Sequence, residues 1–426
     1  MCDYKFKMKR ILLRLVSFLI VIYSFFLNNP YFIWDTYKSG QLAFLFGVRT
    51  TSVVGIASVI LGGVYAYLYR AKIREKDFIL IVLTCVMALS TIVISGGISH
   101  VVSGEWLIYC VIILFLLLPL KAKYNMYNIY ILIYTITIIP SIFYYIITKL
   151  GVSVPYEYLE SYEPIKTMHY AYYKLYPMAS QLTTDFDNVF HSFRLSGIYD
   201  EAGRVGTLAG LFLISENFQI RSNWRNAVIL VSGVLSFSLA FWALIFLFYL
   251  KKLAENRNIY KIIMIALIPI IYLLFINIDF SSLGVESLDR IQARLEIVDG
   301  WFVGDNRMND DYNAIFSTLF TEGIEVILFG KGLGAMGVLQ GGSVDGFSYK
   351  SLIFDYGYVG FALQFIWLFV AIYYKNEYIT KSYQYELLLV AYIANIYQRP
   401  SMMSMAFLLI LFGGIIKENY RWMQTK

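Results

Sequence analysis

The sequence predicts an all-α polytopic membrane protein: one integral membrane domain over residues 1–426, with about 12 transmembrane helices and two large external loops. Three observations predict it. The chain is 59% hydrophobic and only 15% charged, a balance that suits lipid rather than water as its main solvent. Apolar runs near 20 residues, long enough for a hydrocarbon core of roughly 30 Å, recur from end to end. Short clusters of Lys and Arg alternate with those runs, as expected when cations stay on the cytoplasmic side.

Taken in order, the first span is 11–27, preceded by Lys5, Lys7, Lys9 and Arg10. Asn28 to Phe32 offers no small-residue cleavage site, so this span is expected to stay on the protein. Spans at 50–69, 78–94, 106–120 and 127–148 follow. The loops holding Arg70, Lys72, Arg74 and Lys76, and then Lys121 and Lys123, come out cytoplasmic if the N-terminus is. A polar, tyrosine-rich stretch over 149–204 then forms the first external loop, and a short span at 205–220 returns inward.

The next apolar run, 226–250, is flanked on both sides by cations: Arg221 and Arg225 before it, Lys251, Lys252 and Arg257 after it. A single crossing cannot keep both ends cytoplasmic, so a hairpin turning near Ser232, Gly233, Ser236 and Ser238 is expected, with neighbouring helices shielding its freed backbone groups. A ninth span at 260–278 leads to the second external loop, 279–350. Spans at 351–374, 384–398 and 402–416 end the chain with Lys417, Arg421 and Lys426 inside.

The net charge of +6 sits in these short clusters, where it sets orientation, and nucleic acid is not expected as a partner. Cys2, Cys85 and Cys110 have no spacing suited to a disulfide or zinc site, and are read as packing residues. With only His100, His169 and His191, and no HExxH, CxxC or GxSxG motif, metal and serine-hydrolase chemistries are disfavoured. No cofactor is expected.

Charge at a membrane edge is costly and tends to be functional. "RLSGIYDEAGRVGTLAGLFLI", 194–214, sets Arg194, Asp200, Glu201 and Arg204 where the first loop descends into the sixth span. In "ESLDRIQARLEIVDGWF", 286–302, Arg290 and Arg294 lie four apart and project from one face of a helix, where Glu286 is also placed to pair with Arg290. Arginine suits a phosphate group because its planar fork donates two hydrogen bonds while staying charged. "FGKGLGAMGVLQGGSVDGF", 329–347, is rich in glycine and holds Lys331 and Asp345, but lacks the Lys-Ser/Thr pair of a Walker loop. Tyr170, Tyr172, Tyr173 and Trp301 are of the type that stacks on sugar faces or settles at a membrane interface.

These motifs resemble those of the O-antigen polymerase and O-antigen ligase superfamily of bacterial envelope glycosyltransferases. "RLSGIYDEAGRVGTL" is similar to its Arg-x-x-Gly element before a span, "RLEIVDGWF" to its Arg followed by an aromatic, and "LFGKGLGAMG" to its Gly-x-Gly element. They cover 190–360 in the family's order; beyond that only hydropathy is shared. The resemblance implies a GT-C-like architecture in the bacterial inner membrane, with both termini cytoplasmic and the loops and active site periplasmic. It implies transfer of glycan from undecaprenyl pyrophosphate to a sugar hydroxyl without metal or nucleotide sugar, with a flippase and a chain-length regulator as partners. Arg194 and Arg294 are then expected to hold the pyrophosphate. Arg204, Arg290 and Lys331 are the further substrate-binding candidates, and Glu201, Asp200 and Asp345 the candidate bases. The ligases' second-loop histidine is missing from "GGSVDGFSYKSL", which favours a polymerase. A repeat-unit flippase or another transporter is the rival from a different class, followed by a non-catalytic scaffold.

Overall fold

The computed structural model describes residues 2–28, 30–31, 44–45, 48–69, 73–90, 106–160, 171–184, 194–255, 275, 277–278, 292, 297–298, 301–302, 310–332, 335–336, 348–373, 384–398 and 403–425. Among these the chain is mostly helical. Helices α1 (Cys2–Phe26), α2 (Thr50–Tyr69), α3 (Glu75–Ala88), α4 (Leu107–Leu117) and α5 (Leu120–Lys149) precede the first loop. After it come α6 (Ala202–Ser215), α7 (Trp224–Leu235) and α8 (Leu239–Glu255). The second loop contributes α9 (Asp310–Ser317) and α10 (Ile324–Phe329), and α11 (Tyr349–Tyr373), α12 (Gln384–Gln398) and α13 (Met405–Thr425) complete the chain. Three of the described helices, Thr51–Tyr69, Leu120–Lys149 and Tyr349–Tyr373, are long and apolar enough to cross a membrane. The expected ninth span lies outside the described residues apart from 275, 277 and 278.

The pattern on α5 explains why this is a membrane protein. Ile129, Leu132, Ile136, Ile139, Phe143 and Ile146, spaced alternately three and four apart, are all exposed. A helix that turns an unbroken apolar stripe outward is built for lipid. Its opposite face buries Tyr127, Tyr130, Tyr134, Ile138 and Ser141. Inside the bundle those hydroxyls find partners: Asn28, in the turn just past α1, donates to Tyr130 Oη, and Tyr134 Oη lies 3.2 Å from the carbonyl of Val205 and from Ser232 Oγ. The three rings pack around Phe212 of α6 at 5.1 to 6.3 Å.

The run 226–250 breaks where expected. α7 ends at Leu235, Phe237 takes a left-handed φ of 45°, and α8 starts at Leu239. Both arms pack on α6, which carries Gly206 and Gly210 four apart. A Cβ on Gly206 would lie 2.3 Å from Ser238 Cβ, and one on Gly210 would lie 2.6 Å from Leu244 Cδ1. Small residues at this spacing let helices approach closely, which is how they gain van der Waals contact where lipid supplies no hydrophobic drive.

The segment 149–204, expected only as polar loop, contains an antiparallel sheet of β1 (Glu157–Glu160), β2 (Ala171–Tyr176) and β3 (Ala179–Thr184). β2 and β3 form a hairpin around Pro177 and Met178, whose φ is 59°. Proline at the first corner and a left-handed residue at the second is a stable two-residue turn.

Two buried charge pairs lie at the opposite end of the bundle. Lys123 Nζ is 3.1 Å from Asp77 and donates to the carbonyl of Leu116, and Arg74 joins Asp77 at 2.7 Å. Glu216, just past α6, is paired with Lys417 of α13 and accepts a hydrogen bond of 2.8 Å from Tyr127 Oη. Removing one member of a buried pair leaves an uncompensated charge, at a cost of about 3–5 kcal/mol, whereas replacing both is far milder. Lys417→Met is therefore expected to lower thermal stability in detergent sharply, and Glu216→Gln with Lys417→Met to recover most of it. Equal melting of Lys417→Met and the native protein would show that the pair does not hold α6 to α13.

Candidate functional site

The segment 194–201 enters the bundle as irregular chain with a turn at 197–198, and neighbouring elements secure it at several points. Leu195 N–H donates to the carbonyl of Leu235 at 2.9 Å, and Ser196 Oγ to that of Ser180 at 2.8 Å. Gly197 has φ 67°, and a Cβ there would strike Ile138 Cδ1 at 2.7 Å, so glycine is required on both conformational and steric grounds. Tyr31 N–H donates to Ile198 at 2.7 Å, Tyr199 bridges to Pro30, and its ring stacks on Tyr134 at 6.3 Å. Tyr173 Oη donates to the carbonyl of Asp200 at 3.0 Å.

This scaffold positions four of the expected site residues at one end of α6. Arg194 Nε donates to the carbonyl of Ser236 at 3.0 Å. It thereby caps the C-terminus of α7, where carbonyls lack partners and a cation is favoured. Ser236 in turn packs on Gly206, two residues after Arg204, so both arginines belong to the same neighbourhood. Arg204 Nε faces Asp200 Oδ1 at 3.1 Å in an ion pair that lacks the alignment of a directed hydrogen bond. Asp200, expected as a candidate base, is 2% exposed and paired with that arginine. Glu201, half-buried at the N-cap of α6, is the more accessible carboxylate of the two.

A narrow cleft beside Arg194 is walled by Ser141, Tyr144, Tyr145, Tyr176 and Gln181. It holds about 10 Å³, room for a single water, so a sugar enters only when these side chains part. Burial, with Tyr156 and Tyr172 alongside, holds the Tyr176 phenol above its ordinary value, so it remains a neutral donor. Of the tyrosines suited to stacking on sugars or to a membrane interface, Tyr173 is fully buried and donates to the Asp200 carbonyl, and Tyr172 packs on Tyr158 at 4.8 Å. Tyr170 lies outside the described residues, as does the side chain of Trp301.

The glycine-rich element has a structural task of its own. α11 breaks at Gly357, φ 66°, which frees carbonyls in the preceding turn. Lys331 N–H donates to Phe354 at 2.9 Å and Gly332 N–H to Asp355 at 3.1 Å, while Asp355 Oδ1 accepts from Met336 N–H at 3.0 Å. The Lys331 ammonium is 2.5 Å from Glu322 and lies over the Phe354 ring. The expected anion-binding lysine is thus engaged in a cluster around Tyr312, Leu319 and Phe354. Arg290, Arg294 and Asp345 lie outside the described residues.

Sequence reasoning missed the cleft tyrosines, the Ser236 carbonyl and the Glu216–Lys417 pair. The spacing of Tyr127, Tyr130 and Tyr134 was the available signal for a polar inner face on α5. Backbone packing around the break in α11 yields a prediction. A Cβ on Gly357 would stand 2.2 Å from the carbonyl oxygen of Leu328, and φ 66° is itself unfavourable for a branched residue. Gly357→Val should cost more than about 2 kcal/mol and separate α10 from α11. Unchanged melting and unchanged protease resistance of 324–332 would refute this account.

No protein-family model matches the chain, no curated protein is significantly similar to it, and no solved structure matches its fold.

Proposed function

We propose that the chain is a polymerase of lipid-linked oligosaccharide repeat units, of O-antigen, capsular or exopolysaccharide type, working in the bacterial inner membrane with about 12 spans and both termini cytoplasmic. The observation that carries this reading is the gathering of Arg194, Arg204, Asp200 and Glu201 at one end of an apolar bundle, on a segment fixed by backbone hydrogen bonds. The resemblance of the motifs in 190–360 to the O-antigen polymerase family supports it. In this reading the loops are periplasmic, and Arg194 and Arg204 act with Arg290 and Arg294 of the second loop on undecaprenyl pyrophosphate.

The reaction follows from what such groups do. An acceptor sugar hydroxyl attacks the anomeric carbon, its proton passes to Glu201, and the bond to the pyrophosphate oxygen breaks with its electron pair. Fixed guanidinium groups in a partly dehydrated site stabilise the charge that develops on the leaving group. Asp200 keeps Arg204 oriented, and Asp345 is the alternative base.

A flippase is the second reading, since transporters bury ionisable groups in the bundle, as Asp77–Lys123 and Glu216–Lys417 are buried here. Both pairs lie near the start of α5, however, away from the midplane where a transport site belongs.

Deleting the gene separates the two readings. A polymerase mutant still displays single repeat units at the cell surface, whereas a flippase mutant displays none. In the complemented strain, Arg194→Ala should abolish chain extension and Arg194→Lys should restore it in part, because ammonium lacks the bidentate fork. Glu201→Gln should reduce extension by about a hundredfold at native protein level. Full-length polymer from Glu201→Gln would move the base to the second loop, and full-length polymer from Arg194→Ala would take that arginine out of the site.

A further inference from the structure

At the end of the bundle opposite Arg194, an open groove of about 1040 Å³ runs between α1 and α5. On α1 it is lined by Arg10 and Arg14, one turn apart, with Leu13, Ser17 and Phe18. On α5 it is lined by Lys121, Ala122, Asn125, Asn128 and Ile129. The two helices run the same way here, since Asn28, ten residues beyond Phe18, meets Tyr130 next to Ile129. Three cations and two amides therefore share one groove with apolar side chains, and Lys121 comes level with the Phe18 turn of α1, one to two turns beyond Arg14. Among the described residues no acidic side chain lines the groove.

We infer that this groove binds an anionic phospholipid, its phosphate between Arg10, Arg14 and Lys121 and one acyl chain lying along Phe18 and Ile129. Charge complementarity and the apolar side chains that share the groove with the cations favour this occupant. A free phosphate would leave those apolar side chains unused, and a zwitterionic headgroup would set its own amine against three cations. Basic pockets between membrane helices commonly recognise acidic headgroups in this way. Phe18 is 50% exposed and Ile129 36%, so both are open to a chain from the surrounding lipid. The site is separate from the residues 194–204, and the inference stands whether or not the chain is a polymerase.

The test uses full-length protein reconstituted in phosphatidylcholine nanodiscs containing 20 mol% phosphatidylglycerol, roughly the acidic share that loads a surface with anionic charge. Lipid retained after transfer to detergent is counted by native mass spectrometry. Native protein should retain phosphatidylglycerol over phosphatidylcholine. Arg10→Gln with Arg14→Gln and Lys121→Gln should lose at least tenfold of that preference, and Arg14→Lys, which keeps the charge, should retain it. All three side chains are exposed, and an unchanged melting temperature of the triple variant verifies that its fold is intact. Equal retention by the triple variant overturns the proposal. So does displacement of the lipid by 10 mM inorganic phosphate, on the order of an intracellular anion load and well screened at a Debye length near 10 Å, because it would show a phosphate site with no use for the acyl chain.

Discussion

How near α6 is allowed to come to its neighbours governs most of this architecture. Gly206 and Gly210 present bare backbone to the α7–α8 hairpin, and an added methyl at either would overlap Ser238 or Leu244. That approach sets the turn at 236–238 against the first residues of α6, and the turn then offers its Ser236 carbonyl to Arg194. From there the constraint spreads through the segment 194–201 to Tyr31, to Ser180 of β3 and to Tyr173 of β2. Van der Waals fit is the main source of cohesion within lipid, so a small change of volume on α6 displaces charged groups that never touch the substituted residue.

The charges divide between the two ends of the bundle, and the division has a physical logic. Near the start of α5, Lys123 and Glu216 each meet a counter-charge and further donors or acceptors, so those buried ions are compensated. At the other end Arg204 is shared with a carboxylate in a less directed contact, and Arg194 holds the Ser236 carbonyl through Nε. Electrostatic sites that act on a ligand's charge need such groups held in place before the ligand arrives.

Much of this was legible in the sequence. Apolar runs located the helices because burial in lipid needs length and composition more than any particular residue. The turn in 226–250 was legible because cations flanked both ends of a run too short for two full spans, and serine and glycine marked its middle. The sheet over 157–184 was not, because its strands are four and six residues long and tyrosine serves interfaces as readily as strands. Lys331 was read by its charge, while the fold uses its backbone N–H to complete a broken helix 23 positions later. Glu216 escaped notice because its partner Lys417 is 201 residues away, and single-sequence periodicity carries no long-range pairing.

The length of α5 has a consequence for how anything reaches the arginines. Its 30 residues make a rod of about 45 Å, roughly half as long again as a hydrocarbon core. Ser141, whose hydroxyl donates to the carbonyl of Met178 at the β2–β3 turn, comes eight residues before Lys149, so about 12 Å of helix rises past that level. The segment 194–201, whose Gly197 sits against Ile138 and Ser141, therefore lies about two turns of helix below the end of α5, and anything approaching past Lys149 has that depth to travel before it meets Arg194.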